Sequence, residues 1–200
     1  MKSYKDIRVQ KNIFREKSKG YRESLSTEEK RRLDQKISNR FLNLWYFRDS
    51  DLLMIYVSTL IEVDTNAIIL RALESGKRVA VPYCIAGTRN IDFYLINSLD
   101  DLELGSFGVL EPVLEKCKKL EDFDGALCIV PALSYDVGGY RLGFGKGYFD
   151  RFLSNVDIRK IGICYDSCVF DEVPRGRYDK KVDMIVTESR IIDLSSSDSR

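Results

Sequence analysis

The residues best suited to chemistry lie in one short glycine-rich segment. Arg141, Lys146 and Asp150 supply two cations and one carboxylate there, and five glycines fall between Gly138 and Gly147. Glycine lets a backbone approach a ligand closely and adopt positive φ. Cations for phosphate beside a carboxylate for a metal ion are what nucleotide chemistry requires. The segment therefore predicts a phosphate-binding loop, and the alternative is a surface loop whose glycines only make turns.

The flanking sequence predicts how this loop is positioned. An apolar run, 126–130, precedes it, and an amphipathic stretch begins near Tyr148. This order predicts a strand, a glycine-rich loop and a helix, a junction where backbone N–H groups and the helix N-terminus bind anions. The glycine pattern matches neither common phosphate motif: Lys146 is followed by Gly147 rather than Ser or Thr, and the glycines alternate instead of following G-x-G-x-x-G.

Composition limits the mechanisms that are available. The chain has 200 residues, a net charge of +1, no histidine and five cysteines without a C-x-x-C pair. The balanced charge argues against nucleic acid as the main partner. The absence of histidine excludes Ser-His and Cys-His catalysis and argues against a zinc site. Chemistry must therefore rest on carboxylates, Lys, Arg, Tyr, backbone amides and a metal ion.

Length and patterning predict one cytoplasmic domain. We expect it to span 1–194, with a disordered serine-rich tail at 195–200. No apolar run approaches about 18 residues, so no transmembrane helix is expected, and the charged N-terminus lacks a signal sequence. The odd cysteine count is typical of reduced thiols, and Cys128 and Cys164 are expected in the core.

The remaining pattern alternates helices with strands. A first helix is predicted from Tyr4 to about Arg22. A second begins at the capping box Ser26-Thr27-Glu28-Glu29. Another is capped by Asp64 or Thr65 and ends at Gly76. Strands are predicted at 52–57, 78–82, 91–96, 126–131, 160–165 and 182–187, and the continuous apolar run at 52–57 is typical of a strand buried on both faces. This alternation predicts a three-layer α/β/α sandwich with a mostly parallel sheet, and leaves the strand order open.

Other charged residues lie where such a sheet binds ligands. Glu62 follows the 52–57 strand, and open α/β sheets bind ligands beyond the carboxyl ends of their strands. Lys11 and Arg15 share one face of the first helix, and Asp179 lies in a charged loop, 174–179. Structural alternatives are a solvated basic face for Lys11 and Arg15, and a first-turn helix acid for Glu62.

The string from Arg141 to Arg151 resembles the 5-formyltetrahydrofolate cyclo-ligase family, also called methenyltetrahydrofolate synthetases. The family's R-L-G-x-G-K-G-Y-Y-D-R stands here as R-L-G-F-G-K-G-Y-F-D-R. Phe149 replaces the second Tyr, so a hydroxyl there is not expected to be essential. Similar segments lie at 62–65, 107–112 and 179–183, so the resemblance covers most of the chain.

The resemblance implies a fold and an activity. The fold is the cyclo-ligase fold, related to the ribose-5-phosphate isomerase and CoA-transferase type of sheet. The activity is ATP- and Mg²⁺-dependent conversion of 5-formyltetrahydrofolate to 5,10-methenyltetrahydrofolate. We expect the protein to be a monomer and to have no membrane or nucleic-acid partner. The alternatives are an ATP-dependent ligase for another small molecule, or a non-catalytic nucleotide- or RNA-binding module on the same fold.

The resemblance also implies roles for individual residues. Arg141, Lys146 and Tyr148 are expected to be catalytic, and Asp150 and Asp179 to hold Mg²⁺. The expected ATP-binding residues are Lys11, Arg15, Arg141, Leu142, Gly143, Phe144, Gly145, Lys146, Gly147, Tyr148 and Phe149. The expected folate-binding residues are Val57, Glu62, Phe144, Gly145, Lys146, Gly147 and Tyr148. Candidates for contact with the pterin ring are Tyr56, Phe107 and Phe144.

Overall fold

The structure, a computed structural model, describes residues 4–105, 108–176 and 179–195. Its α-helices in those ranges are α1 (Tyr4–Ser24), α2 (Thr27–Leu42), α3 (Trp45–Asp49), α4 (Asn66–Glu74) and α5 (Tyr148–Leu153). The predicted helix starts and stops follow the capping residues. Ser26 precedes α2, and its hydroxyl accepts a hydrogen bond from the Glu29 N–H. Gly76 follows α4 with a φ of 75°, a conformation that glycine adopts readily.

The strands form one large sheet and two small ones. They are β1 (Leu52–Met54), β2 (Arg78–Cys84), β3 (Ile91–Ile96), β4 (Leu102–Leu104), β5 (Leu110–Pro112), β6 (Lys118–Lys119), β7 (Ala126–Val130), β8 (Ser134–Asp136), β9 (Arg141–Leu142), β10 (Arg159–Ile163), β11 (Val169–Phe170), β12 (Met184–Val186) and β13 (Ile191–Asp193). Over the described ranges, the large sheet has the order β13-β12-β10-β7-β1-β2-β3-β6.

The centre of the large sheet is parallel. β12, β10, β7, β1 and β2 pair in parallel, whereas β13, β3 and β6 join at the edges in antiparallel pairs. All residues of β1 and β7 are buried, as expected for strands covered on both faces. The predicted α/β class, with helices flanking a mostly parallel sheet, is confirmed.

The first strand is shorter than predicted. Regular pairing ends at Met54, although the chain stays buried through Val57. Beyond this point, a side chain rather than a neighbouring strand forms hydrogen bonds with the backbone. The Thr65 hydroxyl donates to the Tyr56 carbonyl and accepts from the Ser58 N–H, at 2.8 and 3.1 Å. This exchange opens a loop at the carboxyl end of β1.

The glycine-rich segment does not follow the predicted order of strand, loop and helix. Between β7 and α5, the strands β8 and β9 form a short antiparallel hairpin. The buried Asp136 carboxylate closes its turn by accepting from the N–H groups of Gly138 and Tyr140. Gly138 and Gly139 therefore belong to a hairpin turn, and only 143–147 forms the loop before α5.

Several individual residues and segments can also be compared with the predictions. Cys128 and Cys164 are buried in the core, as predicted. Trp45, which the sequence predicts to pack near the end of the second helix, is exposed. The glycine and proline of 107–112 predict a loop, but Leu110–Pro112 is strand β5, because it pairs with β4. Phe107 and residues 196–200 of the predicted tail lie outside the described residues. Within those described, no helix has the length and apolar character needed to cross a membrane.

Candidate active site

A pocket of about 650 Å³ lies beyond the carboxyl ends of the central strands. The residues that were predicted to be catalytic or to bind ATP, folate or metal line it, whereas the pterin-contact candidate Phe107 lies outside the described residues. These residues are Lys11, Arg15, Val57, Glu62, Arg141, Leu142, Gly143, Phe144, Gly145, Lys146, Gly147, Tyr148, Phe149, Asp150 and Asp179. The fold thus brings together α1, the loop after β1, the glycine loop and the segment before β12.

Helix α1 supplies two cations to the pocket. Arg15 donates from Nε to the Gly143 carbonyl at 2.9 Å. Lys11, one turn earlier, forms an ion pair with Asp179. Both side chains are at least half-buried against the pocket wall. The alternative of a solvated basic face is therefore wrong for these two residues.

The glycine loop needs glycine where Arg15 crosses it. Gly145 has a φ of 93°, and a Cβ built there would lie 3.2 Å from the Arg15 guanidinium. Any side chain would therefore be strained in its backbone and would displace Arg15. Gly147, with a φ of 79°, is the N-cap of α5, which has six residues. Because α5 is short, anion binding here depends on loop amides and side-chain cations more than on a helix dipole.

Arg141 is the buried cation of the loop. Its side chain donates from Nη1 to the Lys180 carbonyl at 3.0 Å, and its Nη2 lies 2.8 Å from Oδ1 of Asp150. Arg141 therefore ties β9 to the first turn of α5 and to the segment before β12. Lys146, in contrast, is exposed at the mouth of the pocket.

The two predicted metal ligands both line the pocket, and each balances a cation. Asp150 pairs with Arg141, and Asp179 pairs with Lys11 and accepts from the Gly176 N–H at 2.8 Å. Over the described ranges, no cluster of three or more Cys, Asp or Glu side chains could hold an ion alone. Two carboxylates without nitrogen or sulfur ligands fit Mg²⁺ completed by water and phosphate oxygens. They do not form a closed metal cage.

Glu62 is held in the loop after β1. Its side chain is 5% exposed, and its Oε2 accepts from both the N–H and the hydroxyl of Thr59 at 2.9 Å. Helix α4 begins only at Asn66, so the alternative of a first-turn helix acid is wrong. The carboxylate is instead fixed by its own turn at the pocket wall.

The remaining wall is mostly apolar. It is lined by Tyr56, Val57, Pro82, Ile91 and Val109, from the chain after β1, from β2 and β3 and from the chain before β5. Because β2 and β3 lie on the opposite side of β1 from β7, this surface is set apart from the glycine loop. Burial, together with the Glu62 carboxylate, raises the pKa of Tyr56, so its phenol stays neutral. Phe144 is exposed at the mouth.

Two further residues of this wall, Glu111 and Cys84, are not among the predicted site residues. Glu111 is buried beside Cys84, and its Oε1 accepts from the Cys84 N–H at 3.1 Å. Burial, followed by the Glu111 carboxylate, raises the pKa of Cys84 to about 11. Nothing in the local pattern marks Glu111 as buried, since its burial depends on β5 packing beside β2.

Comparison with known proteins identifies relatives of similar length. A sequence profile of the 5-formyltetrahydrofolate cyclo-ligase family matches residues 7–188. The structure of 5,10-methenyltetrahydrofolate synthetase from Aquifex aeolicus is similar, with a TM-score of 0.81 and 35% identity over 92% of each chain. That of the synthetase from Mycoplasma pneumoniae has a TM-score of 0.72 and 26% identity over 89% of this chain and 98% of the other. A Caenorhabditis elegans protein named "Probable 5-formyltetrahydrofolate cyclo-ligase" is 28% identical over 93% of this chain and 96% of its own.

Proposed function

The chain belongs to the 5-formyltetrahydrofolate cyclo-ligase family, and on this basis we propose that it converts 5-formyltetrahydrofolate to 5,10-methenyltetrahydrofolate with consumption of ATP. The observation that carries the proposal is the pocket itself. It joins a glycine loop and four cations on one side to an apolar wall with a buried carboxylate on the other. Its volume lies within the range typical of small-molecule sites.

The proposed reaction solves a leaving-group problem. The formyl oxygen is a poor leaving group, and phosphorylation makes it a good one. It therefore first attacks the γ-phosphorus of ATP. The bond from that phosphorus to the β–γ bridging oxygen breaks, and ADP leaves. N10 then attacks the activated formyl carbon. Loss of the N10 proton and departure of phosphate complete the 5,10-methenyl bridge.

The protein's main task in this scheme is alignment and charge stabilisation. Phosphoryl transfer gains most from holding the two reacting atoms in line and from cations placed where charge develops. Arg141 is fixed at the base of the loop, and Lys146 at the pocket mouth is placed to contact the transferring group. Tyr148 follows the loop and lines the pocket, where its hydroxyl can donate a hydrogen bond to the phosphoryl group or to folate. Lys11 and Arg15 bind the remaining phosphates.

Mg²⁺ is part of this proposal. When bound, it would neutralise the ATP phosphates, with Asp150 and Asp179 as its protein ligands and water completing its shell. Arg141 pairs with Asp150 and Lys11 pairs with Asp179, so both carboxylates are fixed at the pocket wall.

Folate is assigned to the apolar wall. Glu62 is a suitable acceptor for the N–H donors of the pterin ring, because ionised acceptors make strong hydrogen bonds. Tyr56, Val57 and Phe144 supply surface for the ring. We further propose that the enzyme acts as a cytoplasmic monomer, with ATP and folate rather than nucleic acid as its partners.

Product analysis tests the proposed function. The purified chain is mixed with ATP, Mg²⁺ and 5-formyltetrahydrofolate, and the absorbance of 5,10-methenyltetrahydrofolate is followed together with ADP. We expect equal amounts of both products, and neither without ATP. ADP formation that does not depend on folate would favour a ligase or kinase for another small molecule. Nucleotide binding with no product would favour the non-catalytic alternative.

A further inference from the structure

Arg22, in the last turn of α1, is a buried arginine outside the pocket lining. Its side chain is 3% exposed. It donates from Nη1 to the Ile61 carbonyl at 3.1 Å and from Nη2 to the carbonyls of Ala132 and Leu133 at 2.9 and 2.8 Å. One guanidinium therefore connects two segments that are distant in sequence.

These two segments carry the opposite sides of the proposed site. Ile61 directly precedes Glu62, in the loop after β1. Ala132 and Leu133 follow β7, and the Leu133 N–H donates to the Leu142 carbonyl at 2.8 Å, at the base of the glycine loop. Because β1 and β7 are neighbours in the sheet, Arg22 spans the crevice between their carboxyl ends.

The choice of arginine at this place is informative. Within the described residues, its hydrogen-bond partners are backbone carbonyls and the sulfurs of Cys164 and Cys168, not carboxylates. Its guanidinium carbon lies 5.4 Å from the centre of the Tyr165 ring. A buried cation without a carboxylate is expensive to maintain. The planar fork of arginine, however, can hold several acceptors in fixed directions, which the flexible ammonium of lysine cannot do.

We propose that Arg22 is a positioning residue for the reaction, fixing the Glu62 loop relative to the glycine loop. The inference rests on the proposed function, in which folate binds one side of this crevice and ATP the other. In-line transfer then depends on the spacing of the two loops, and a displacement near 1 Å can lower the rate about a hundredfold. Each loop alone retains its own ligand contacts, so Arg22 should affect turnover more than binding.

Arg22→Lys is the test variant, because it keeps the charge and removes the fork. We expect kcat to fall about 10- to 100-fold, while the Kd of ATP alone and of 5-formyltetrahydrofolate alone each change by less than about threefold. Arg40→Lys is the matched control. Arg40 on α2 also donates to backbone carbonyls, those of Thr187 and Ser189, and lies outside the pocket. It should leave kcat unchanged.

Hydrogen exchange in the free protein makes the test independent of activity. Arg22→Lys should speed amide exchange at 58–63 and 132–134 and leave strand β3 unchanged. A double-mutant cycle with Glu62→Gln adds a second readout, because residues acting through one loop give non-additive losses.

The outcomes separate the two claims. Wild-type protein without turnover would contradict the proposed function, and the exchange data would still decide the role of Arg22. Active wild type with an unchanged kcat in Arg22→Lys would overturn the inference. Unchanged amide exchange at both segments would also overturn it. So would a loss of kcat that is matched by equal losses in both ligand affinities and is reversed at a lower temperature, because such a loss indicates simple destabilisation.

Discussion

Arg141 and Asp150 form an ion pair across the glycine loop, with Nη2 2.8 Å from Oδ1 and side-chain exposures of 4% and 32%. The pair joins the hairpin to α5, so the loop between them, 143–147, has both ends fixed. Its buried member can stabilise phosphate, and its more exposed member can reach a cation. The same contact thus fixes both ends of the loop and places one cation and one carboxylate beside it.

The carboxylate of this pair should govern Mg²⁺ dependence. In Asp150→Asn we expect the Mg²⁺ concentration for half-maximal rate to rise about 10- to 100-fold, the range typical of weakened metal sites. The Kd of folate alone should change little. Asp157→Asn, an exposed residue outside the pocket, is the control. Unaltered Mg²⁺ dependence with weakened folate binding would move Asp150 to the folate side.

The two cations of the loop should differ in what they stabilise. Lys146→Ala and Arg141→Ala should each lower kcat about 10²–10³-fold, as expected for loss of a preorganised charge donor. Only Arg141→Ala should also lower Tm, because Arg141 is buried and holds Asp150 and the Lys180 carbonyl. Lys116→Ala, an exposed lysine elsewhere, is the control for both measurements. Near-normal turnover in either loop variant, with an intact melting profile, would remove its catalytic role.

Glu62 should discriminate between the two ligands. Glu62→Gln keeps the size of the side chain and removes its charge, so we expect weaker folate binding and slower turnover with little change in ATP affinity. Calorimetry with each ligand alone measures this, with Glu115→Gln as an exposed control. A variant that binds folate normally and loses ATP would show that the two ligands occupy the crevice the other way round.

Cys84 offers a pH-dependent probe of the apolar wall. Because burial and Glu111 raise its pKa to about 11, the reactive thiolate is scarce at neutral pH and increases as pH rises toward 11. Alkylation of Cys84 should therefore quicken about tenfold per pH unit from pH 8 to pH 10. Bound 5-formyltetrahydrofolate should slow it, and Glu111→Gln should speed it by lowering the pKa. A rate that is independent of pH and of folate would place Cys84 outside the binding surface.

The centre of the sheet was predictable because β1 and β7 are short, continuous apolar runs, which are typical of strands covered on both faces. The hairpin of β8 and β9 was not, since two and three residues are too few to show an alternating pattern. The order of strands also escaped prediction, because pairing between β7 and β1 joins segments far apart in the chain.

In the candidate site, too, residues that belong to a local sequence pattern could be predicted, whereas residues whose role depends on tertiary packing could not. The glycine loop and its cations were visible from spacing, and the resemblance added Lys11, Glu62 and Asp179. Arg22 was not visible, because its sequence context matches that of exposed basic residues such as Lys19. Only the packing of α1 against the ends of β1 and β7 distinguishes it. The burial of Glu111 is likewise a property of the folded sheet.

The most direct test of the central claim follows the formyl oxygen. 5-Formyltetrahydrofolate labelled with ¹⁸O in the formyl group is converted with ATP and Mg²⁺, and the released phosphate is analysed by mass spectrometry. Phosphorylation of that oxygen at the glycine loop predicts one ¹⁸O atom in each phosphate formed with 5,10-methenyltetrahydrofolate. Unlabelled phosphate, with the ¹⁸O recovered in water or retained in the folate, would contradict it.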